Sequence, residues 1–317
     1  MNNKQNILII DEVHPVLLEA LGSFNVFYRP DISVAELEAA LSDVTVLVLR
    51  SKLRFDRSWI DKAPALAYIG RLGSGMDNID VDYAASKGIV CENAPEGNRN
   101  AVAEQTIGMM LSLLANISKS ANEVRNGVWD RKANQGIELQ NLTVGIIGYG
   151  NVGSTLAKKL SAFGCEVLAY DKYLSNYGNS MVKESSLEEL QNHSDVISLH
   201  VPLNKSSKNM VDSTFISKVA KPFYLLNLSR GEVVNISDII YALKNGKIKG
   251  AALDVLPNEK LETFNSTEKN EFSYLTENEC VIVTPHIGGL TIDSYKALAN
   301  VLANKILKWS EGYPLVK

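Results

Sequence analysis

The chain has 317 residues, of which 45% are hydrophobic and 21% charged, and its formal net charge is −4. This length exceeds that of a typical single core, so we expect two domains. The acidic balance argues against a nucleic-acid partner, because phosphate binding relies on an excess of Lys and Arg. No apolar run reaches the roughly 18–20 residues of a membrane span, and the N-terminus does not resemble a signal peptide. The composition therefore predicts a cytoplasmic protein that binds neither nucleic acid nor membrane.

The three cysteines, Cys91, Cys165 and Cys280, are odd in number and far apart in the sequence. None of them belongs to a Cys-x-x-Cys pair, so we expect neither a disulfide framework nor a metal site. We predict that all three are buried, reduced thiols.

Short apolar runs alternate with helical patterns along the whole chain. Most runs are rich in Val, Ile and Leu without clean alternation, as in parallel strands that are covered on both faces. The predicted strands are Asn6–Ile10, Val44–Leu49, Ala67–Gly70, Val144–Gly148, Glu166–Asp171, Val196–Val201, Tyr224–Leu228, Gly250–Val255 and Val281–Thr284. Their alternation with helices indicates an α/β fold with right-handed crossovers and doubly wound parallel sheets.

One long helical stretch, at about residues 100–124, divides the strands into two blocks. The last predicted helix, at about residues 291–309, is followed by no strand and could return to cover the first block. We therefore expect a discontinuous arrangement. One domain would contain residues 1–98 and 287–317, and the other residues 99–286.

A glycine-rich segment, Gly148-Tyr149-Gly150-Asn151-Val152-Gly153, follows a predicted strand and opens a helix. Its glycines permit a tight turn, the approach of a pyrophosphate to the backbone, and close helix–strand packing. The helix N-terminus favours phosphate. The next strand ends at Asp171, 18 residues after Gly153, where a carboxylate can bind ribose hydroxyls but repels a 2′-phosphate. The pattern predicts a dinucleotide site that prefers NAD(H) to NADP(H).

Three polar segments follow, each at the C-terminal end of a predicted strand, where open α/β sheets bind their ligands. The segments are Asn227–Glu232, Ala252–Glu259 and Thr284–Gly289. Taken singly, Arg230 could be a surface ion-pair partner, Glu259 a solvated charge and His286 a loop histidine. Together, in a nicotinamide domain, they provide a cation, an acid and a titratable base.

These motifs resemble the D-2-hydroxyacid dehydrogenase family in order and spacing. The resemblance extends to Gly70–Asp80 and Val102-Ala103-Glu104, and runs from about residue 6 to residue 309. It implies a Rossmann NAD-binding domain inserted into a flavodoxin-like substrate domain, an active site in the cleft between them, and a homodimer formed through the NAD-binding domains. The expected substrate is a small 2-hydroxy or 2-keto acid.

The resemblance also implies roles for individual residues. Arg230 would bind the substrate carboxylate and polarise the carbonyl, His286 would exchange the proton, and Glu259 would orient His286 and raise its pKa. Ser74 and Gly75 would offer backbone amides to the carboxylate. The expected cofactor-binding residues are Gly148, Tyr149, Gly150, Asn151, Val152, Gly153, Asp171, His200, Val201, Pro202 and Asp254.

One departure from the family pattern concerns the acidic residue that would orient His286. Lys260 follows Glu259 where the family usually has proline, and the stretch 260–278 is longer and more polar than usual. Glu262 is therefore kept as an alternative to Glu259.

Three arginines, Arg50, Arg71 and Arg131, point to the substrate. Two of them follow or end strands that face the expected cleft, where a positive cluster suits a dianionic tail. These segments are most similar to D-3-phosphoglycerate dehydrogenases, whose matching arginines face the phosphate, one of them donated by the partner subunit. We therefore predict interconversion of D-3-phosphoglycerate and 3-phosphohydroxypyruvate, a step of serine biosynthesis, by a short form without a C-terminal regulatory domain.

Two alternatives stay open. Arg50 and Arg71 could instead pair with local acids such as Asp77 or Asp80, which leaves a glyoxylate or hydroxypyruvate reductase or a D-lactate-type dehydrogenase. Some relatives of this fold serve as NAD(H)-sensing scaffolds, and fold alone does not exclude that role. Replacing His286 by alanine would separate the two classes, because only an enzyme would lose its function.

Overall fold

The computed structural model describes residues 5–312, which divide into two compact units. Unit 1 contains the described residues up to Arg99 and from Leu290 onward, and unit 2 contains Asn100–Gly289. Each unit has its own parallel sheet. None of the helices formed by residues 5–312 has the length and apolar character needed to cross a membrane.

The secondary structure consists of strands and helices that alternate along the chain. The strands are β1 (Asn6–Ile9), β2 (Asn25–Tyr28), β3 (Val46–Leu49), β4 (Tyr68–Arg71), β5 (Val90–Asn93), β6 (Thr143–Ile147), β7 (Glu166–Tyr170), β8 (Lys183–Glu184), β9 (Val196–Leu199), β10 (Phe223–Asn227), β11 (Ile248–Leu253) and β12 (Val281–Val283). The α-helices are α1 (Pro15–Ala20), α2 (Val34–Ala40), α3 (Arg57–Ile60), α4 (Val81–Ser86), α5 (Pro95–Leu114), α6 (Ile117–Arg125), α7 (Asn151–Leu160), α8 (Leu187–His193), α9 (Ser213–Lys218), α10 (Ile236–Lys244), α11 (Ser266–Glu277) and α12 (Ile292–Gly312).

The sheet of unit 1 has the strand order β2-β1-β3-β4-β5, which is that of flavodoxin. Every residue of β3 is buried, because apolar layers cover both faces of the sheet. One of these layers comes from α12. Leu298, Leu302 and Ile306, spaced by one helical turn, pack in the same cluster as Ile7 and Val48. The returning C-terminal helix therefore completes the core of unit 1.

The sheet of unit 2 has the order β12-β11-β10-β9-β6-β7-β8, which contains the Rossmann order with one additional strand at its end. The chain leaves β6 toward β7 on one side, whereas β9 pairs with β6 on the other side. The direction of winding reverses between β6 and β9. Such a switch point is where doubly wound sheets bind their ligands.

Three kinds of local feature differ from the prediction. The strands β2, β5 and β8, which lie at sheet edges, were not predicted. The predicted helix at 100–124 is two helices, α5 and α6, because Asn116 adopts a left-handed backbone with φ 54°. The prediction of buried thiols is wrong for Cys280, which is exposed, while Cys91 and Cys165 are half-buried. All three are free thiols, and burial raises the pKa of Cys91 to about 11.

Candidate active site

The turn between β6 and α7 is built by glycines. Gly148 has φ +97°, and a Cβ at this position would lie 2.3 Å from the carbonyl oxygen of His200. A Cβ on Gly153 would lie 1.9 Å from the carbonyl oxygen of Gly148. By contrast, nothing lies within 4 Å of a Cβ built on Gly150, which caps α7. The turn therefore leaves open space at the helix N-terminus, where a pyrophosphate fits between backbone amides.

Asp171 follows β7 and is fixed beside this turn. Its Oδ2 accepts a hydrogen bond from the amide of Tyr149 at 2.8 Å, and its Oδ1 accepts from the amides of Tyr173 and Leu174. The remaining lone pair of Oδ2 is available to a ribose hydroxyl. The ring of Tyr149 stacks on Tyr177, with centroids 4.4 Å apart, a contact that the sequence pattern did not indicate.

His200, Val201 and Pro202 follow β9, on the other side of the switch point. Val201 approaches the position of a Cβ on Gly148 to 3.0 Å, so this segment borders the glycine turn. The Nε2 of His200 is hydrogen-bonded to Ser198 Oγ at 2.8 Å, and burial lowers the pKa of His200 to about 4. His200 is therefore neutral at pH 7 and adds no charge beside the turn.

His286 and Glu259 form a hydrogen-bonded pair. The Nδ1 of His286 lies 2.9 Å from Glu259 Oε2, and each side chain is 44% exposed. Of the two acids considered from the sequence, Glu259 is the one in contact with the imidazole. This hydrogen bond raises the pKa of His286, and the charges of Glu259 and Asp254 raise it further, whereas burial and the charge of Arg230 lower it. The imidazole therefore binds a proton more readily than an unperturbed histidine does.

Asp254, which is only 1% exposed, holds the backbone around His286. Its Oδ1 accepts from Thr284 Oγ1 at 2.5 Å and from the amide of Ile287 at 3.0 Å, and its Oδ2 accepts from the amide of Gly288 at 2.7 Å. The amide of His286 donates to the Asp254 carbonyl at 2.8 Å. Within this loop His286 has φ 53°, an unusual conformation for a residue with a Cβ. The Asp254 carboxylate therefore organises the loop that carries the imidazole.

Arg230 follows β10, on the loop next to the one that carries Glu259. Its carbonyl accepts from Asn227 Nδ2 at 2.8 Å. A Cβ on Gly231 would lie 2.0 Å from the carbonyl carbon of Leu256, so glycine is required for the two loops to approach. This arrangement places the Arg230 guanidinium close enough to His286 for its charge to lower the pKa of the imidazole.

Arg50 and Arg71 lie at the C-terminal ends of neighbouring strands in the unit 1 sheet. Leu49 pairs with Arg71 across β3 and β4, and Arg50 is the next residue. The guanidinium of Arg71 lies over Gly73, where a Cβ would be 1.4 Å from Nη1 and where φ is +150°. Gly73 is therefore the residue that lets Arg71 adopt this position.

Ser74 and Gly75 continue the same turn. Ser74 Oγ donates to Asn98 Oδ1 at 2.5 Å, and Asn93 Nδ2 donates to the Ser74 carbonyl. The sequence pattern did not single out either asparagine, because β5, which ends at Asn93, was not recognised as a strand. Asp80, one of the acids considered as an arginine partner, caps α4 by accepting from Tyr83 N at 3.1 Å.

Arg131 belongs to unit 2 and is exposed. It lies in a turn that is closed by Asp130, whose Oδ1 accepts from the amides of Lys132 and Ala133 at 2.9 Å. The three arginines considered from the sequence are thus divided between the units, with Arg50 and Arg71 in unit 1.

Comparison with known protein families identifies unit 2. The family described as D-isomer specific 2-hydroxyacid dehydrogenase, NAD binding domain, matches residues 107–288, which is more than half of the chain. The chain belongs to this family. The predicted family and the predicted NAD cofactor are thereby confirmed, and the glycine turn and Asp171 lie within the matched residues.

Relatives of this chain cover nearly its whole length. The D-3-phosphoglycerate dehydrogenase of Methanocaldococcus jannaschii is 36% identical over 312 residues, which is 96% of this chain and 57% of that protein. The enzyme of the same name from Haemophilus influenzae is 35% identical over 98% of this chain and 76% of its own. The chain thus spans between about half and three quarters of the length of these two relatives.

Solved structures confirm the predicted fold class. A D-lactate dehydrogenase from Aquifex aeolicus, complexed with NAD and lactic acid, is 28% identical with a TM-score of 0.84, and the match covers 97% of this chain and 96% of that one. A glyoxylate reductase from Paecilomyes thermophila is 26% identical with a TM-score of 0.84, over 96% and 95% of the two chains. The chain therefore has two doubly wound parallel-sheet domains of the Rossmann and flavodoxin-like types.

Proposed function

We propose that the protein is an NAD-dependent D-2-hydroxyacid dehydrogenase that interconverts D-3-phosphoglycerate and 3-phosphohydroxypyruvate in the cytoplasm. The observation that carries this proposal is the pair formed by His286 and Glu259, 2.9 Å apart. Arg230 lies on the neighbouring loop, and all three loops follow the C-terminal ends of strands in the sheet that also carries the glycine turn. This is the edge at which such sheets bind ligands.

The chemistry follows from the orientation of His286. Its Nδ1 faces Glu259, so Nε2 is the atom that exchanges a proton with the substrate oxygen. In reduction, protonated His286 donates this proton to the carbonyl oxygen; in oxidation, neutral His286 accepts it from the hydroxyl. NAD(H) supplies or accepts the hydride when bound. Arg230 would hold the substrate carboxylate through two parallel N–H bonds and polarise the reacting carbonyl.

Residues of the glycine turn would hold the cofactor. The open space at Gly150 and the N-terminal amides of α7, which begins with Asn151 and Val152, suit the pyrophosphate. Asp171 suits the two hydroxyls of an unphosphorylated ribose. His200, Val201 and Pro202 would border the cofactor on the other side of the turn. Asp254 would contribute indirectly, because it holds the loop of His286 through the amide of Gly288.

The choice of substrate rests on unit 1, which would be the substrate-binding domain, as unit 2 is the NAD-binding one. Arg50 follows β3 and Arg71 ends the adjacent β4, so the two residues give the C-terminal edge of this sheet two cations, which suit a phosphate dianion. Backbone amides at Ser74 and Gly75 would meet the carboxylate. The relatives named D-3-phosphoglycerate dehydrogenase support the same assignment. Arg131 would complete the phosphate site from the partner subunit.

A test of the proposal follows NADH absorbance with phosphohydroxypyruvate, hydroxypyruvate, glyoxylate or pyruvate as separate substrates. We expect phosphohydroxypyruvate to give the highest kcat/KM. Faster turnover of an unphosphorylated acid would overturn the substrate assignment but keep the dehydrogenase. Binding of NADH without turnover of any of the four acids would overturn the enzymatic function and favour an NAD(H)-sensing scaffold.

Two substitutions test the phosphate site. Arg71→Ala should lower kcat/KM for phosphohydroxypyruvate about 10- to 100-fold, because hydrogen bonds to charged groups contribute about 1.5–3 kcal/mol each. Gly73→Ala should have a similar effect although it removes no charge, because the added Cβ would displace the Arg71 guanidinium. Kinetics with hydroxypyruvate serve as the control, since it has no phosphate. Equal losses for both substrates would contradict the role of Arg71.

The hydrogen bond between His286 and Glu259 predicts how the activity depends on pH. In Glu259→Gln the strongest cause of the raised pKa of His286 is removed, so that pKa should fall toward its usual value. Reduction requires protonated His286 and should therefore decline at a lower pH than in the wild type. Oxidation requires neutral His286, and its rise with pH should also move to lower pH. Profiles of kcat/KM in both directions measure the shift, and Glu262→Gln, the other acid considered, should leave both profiles unchanged.

We also propose that the protein is a homodimer formed through unit 2. The stretch 117–137 exposes five large apolar side chains, and α6 buries none of its residues. Apolar groups exposed together in this way mark protein contacts. These side chains are Ile117, Val124, Val128, Trp129 and Ile137.

The dimer proposal predicts the effect of a charge within this stretch. Trp129 is 79% exposed, and Trp129→Glu should convert a species of twice the 34.7 kDa chain mass into a monomer. Tyr241→Glu is the matched control, because Tyr241 is 70% exposed on α10. Light scattering coupled to gel filtration gives the masses. A monomeric wild type, or an unchanged mass in Trp129→Glu, would contradict the proposed interface.

A further inference from the structure

Gln105, on α5, contacts the loop that carries His286. Its Nε2 donates to Asp254 Oδ1 at 2.9 Å and lies 3.3 Å from Thr284 Oγ1, which is within hydrogen-bond distance. Met109, one helical turn further along α5, presents its sulfur at 3.8 Å to the same nitrogen. Both hydrogens of the amide are thus directed at residues that organise the loop.

Asp254 is a buried carboxylate whose partners decide the shape of the loop. It accepts four hydrogen bonds, and Gln105 supplies the only one of the four that comes from outside the segment 284–288. A buried anion that loses a donor is costly, and its network rearranges. A Cβ on Gly288 would lie 2.6 Å from Oδ2, so the opposite side of the carboxylate is closely packed. Gln105 therefore fixes the carboxylate from the side of the helix.

We propose that Gln105 is a positioning residue for the proton transfer by His286. By holding Asp254 and Thr284, it keeps His286 in its left-handed backbone conformation and its Nδ1 against Glu259. Such a conformation persists only where the surroundings enforce it. This inference rests on the proposed function in one respect, which is that His286 exchanges the proton with the substrate.

The first test uses turnover. Gln105→Leu keeps the size of the side chain but removes the donor, and kcat should fall about tenfold while KM for NADH changes less than twofold. Glu104→Gln is the matched control, because Glu104 is the neighbouring exposed residue of α5 and pairs with Lys159 at 2.9 Å. This control should retain wild-type kinetics.

Gln105→Glu gives a sharper test, since it places a second carboxyl against Asp254. Two adjacent carboxyls share one proton, and one of their pKa values rises strongly. While protonated, the introduced carboxyl can donate as the amide does; once ionised, it repels Asp254. Oxidation should then decline at high pH in this variant, whereas wild-type oxidation rises to a plateau. A purely structural role would not create this additional ionisation.

Nuclear magnetic resonance separates this inference from the proposed function. The chain has four histidines, His14, His193, His200 and His286, so the imidazole resonances can be titrated individually. In Gln105→Leu the pKa of His286 should fall, because the hydrogen bond to Glu259 loosens, while the other three titrations overlay those of the wild type. An unchanged His286 titration together with wild-type kcat in both Gln105 variants would overturn the inference. A shifted His286 titration in Gln105→Leu, together with a wild-type protein that turns over none of the four keto acids, would overturn only the proposed function.

Discussion

Replacing His286 by asparagine is expected to lower kcat by about 10²–10⁴ in both directions, which is the range for loss of a general acid or base. Asparagine suits this test because it tolerates φ > 0, and His286 has φ 53°. The loop should therefore keep its hydrogen bonds to Asp254, and only the proton exchange is removed. Binding of NADH, measured by its fluorescence, should stay within twofold of the wild type.

His193→Asn is the control for this variant, because His193 is exposed at the end of α8. It should show wild-type kcat. If His286→Asn kept more than about a tenth of wild-type turnover, another group would have to exchange the proton. A cellular function that survives the loss of turnover in His286→Asn would instead favour the scaffold.

The second large effect concerns Arg230. In Arg230→Lys the positive charge remains, but the planar fork that binds a carboxylate with two parallel bonds is lost. We expect kcat to fall about 10²–10³-fold, as when one donor to a developing oxyanion is removed. KM for the keto acid should rise as well, because in the proposed function the same guanidinium holds the substrate carboxylate.

Arg29→Lys provides the control for Arg230→Lys, since Arg29 forms an exposed ion pair with Glu36 at 3.0 Å. Steady-state kinetics with phosphohydroxypyruvate measure both variants. Wild-type kcat in Arg230→Lys would show that charge alone suffices at this position and would contradict bidentate binding.

The sequence pattern predicted the central strands of both sheets but missed strands at their edges. The strand β3 is buried along its whole length and reads as a continuous apolar run. The edge strands β2 and β5 are mostly exposed or half-buried, and β8 has only two residues, both polar. The strands β5 and β8 contain polar residues and therefore lack the continuous apolar run on which the prediction depends, whereas β12, which also lies at an edge, has such a run and was predicted.

The candidate site was predictable where its residues end parallel strands, since those ends meet at one edge of the sheet. This holds for Asp171, Arg230 and the loop of His286. The contribution of Gln105 could not be read from the sequence, because its partner Asp254 lies 149 residues away and a single glutamine on a helix carries no pattern. The break at Asn116 was likewise hidden, since the apolar pattern continues across it.

The backbone of His286 also bears on how this protein can be stabilised. A left-handed residue with a Cβ is less stable than glycine by roughly 1 kcal/mol, so position 286 carries a conformational cost in exchange for its imidazole. Selection for resistance to heat alone would favour glycine here and would enrich inactive chains. Engineering for thermal stability in this family should therefore keep position 286 fixed and seek its gains elsewhere.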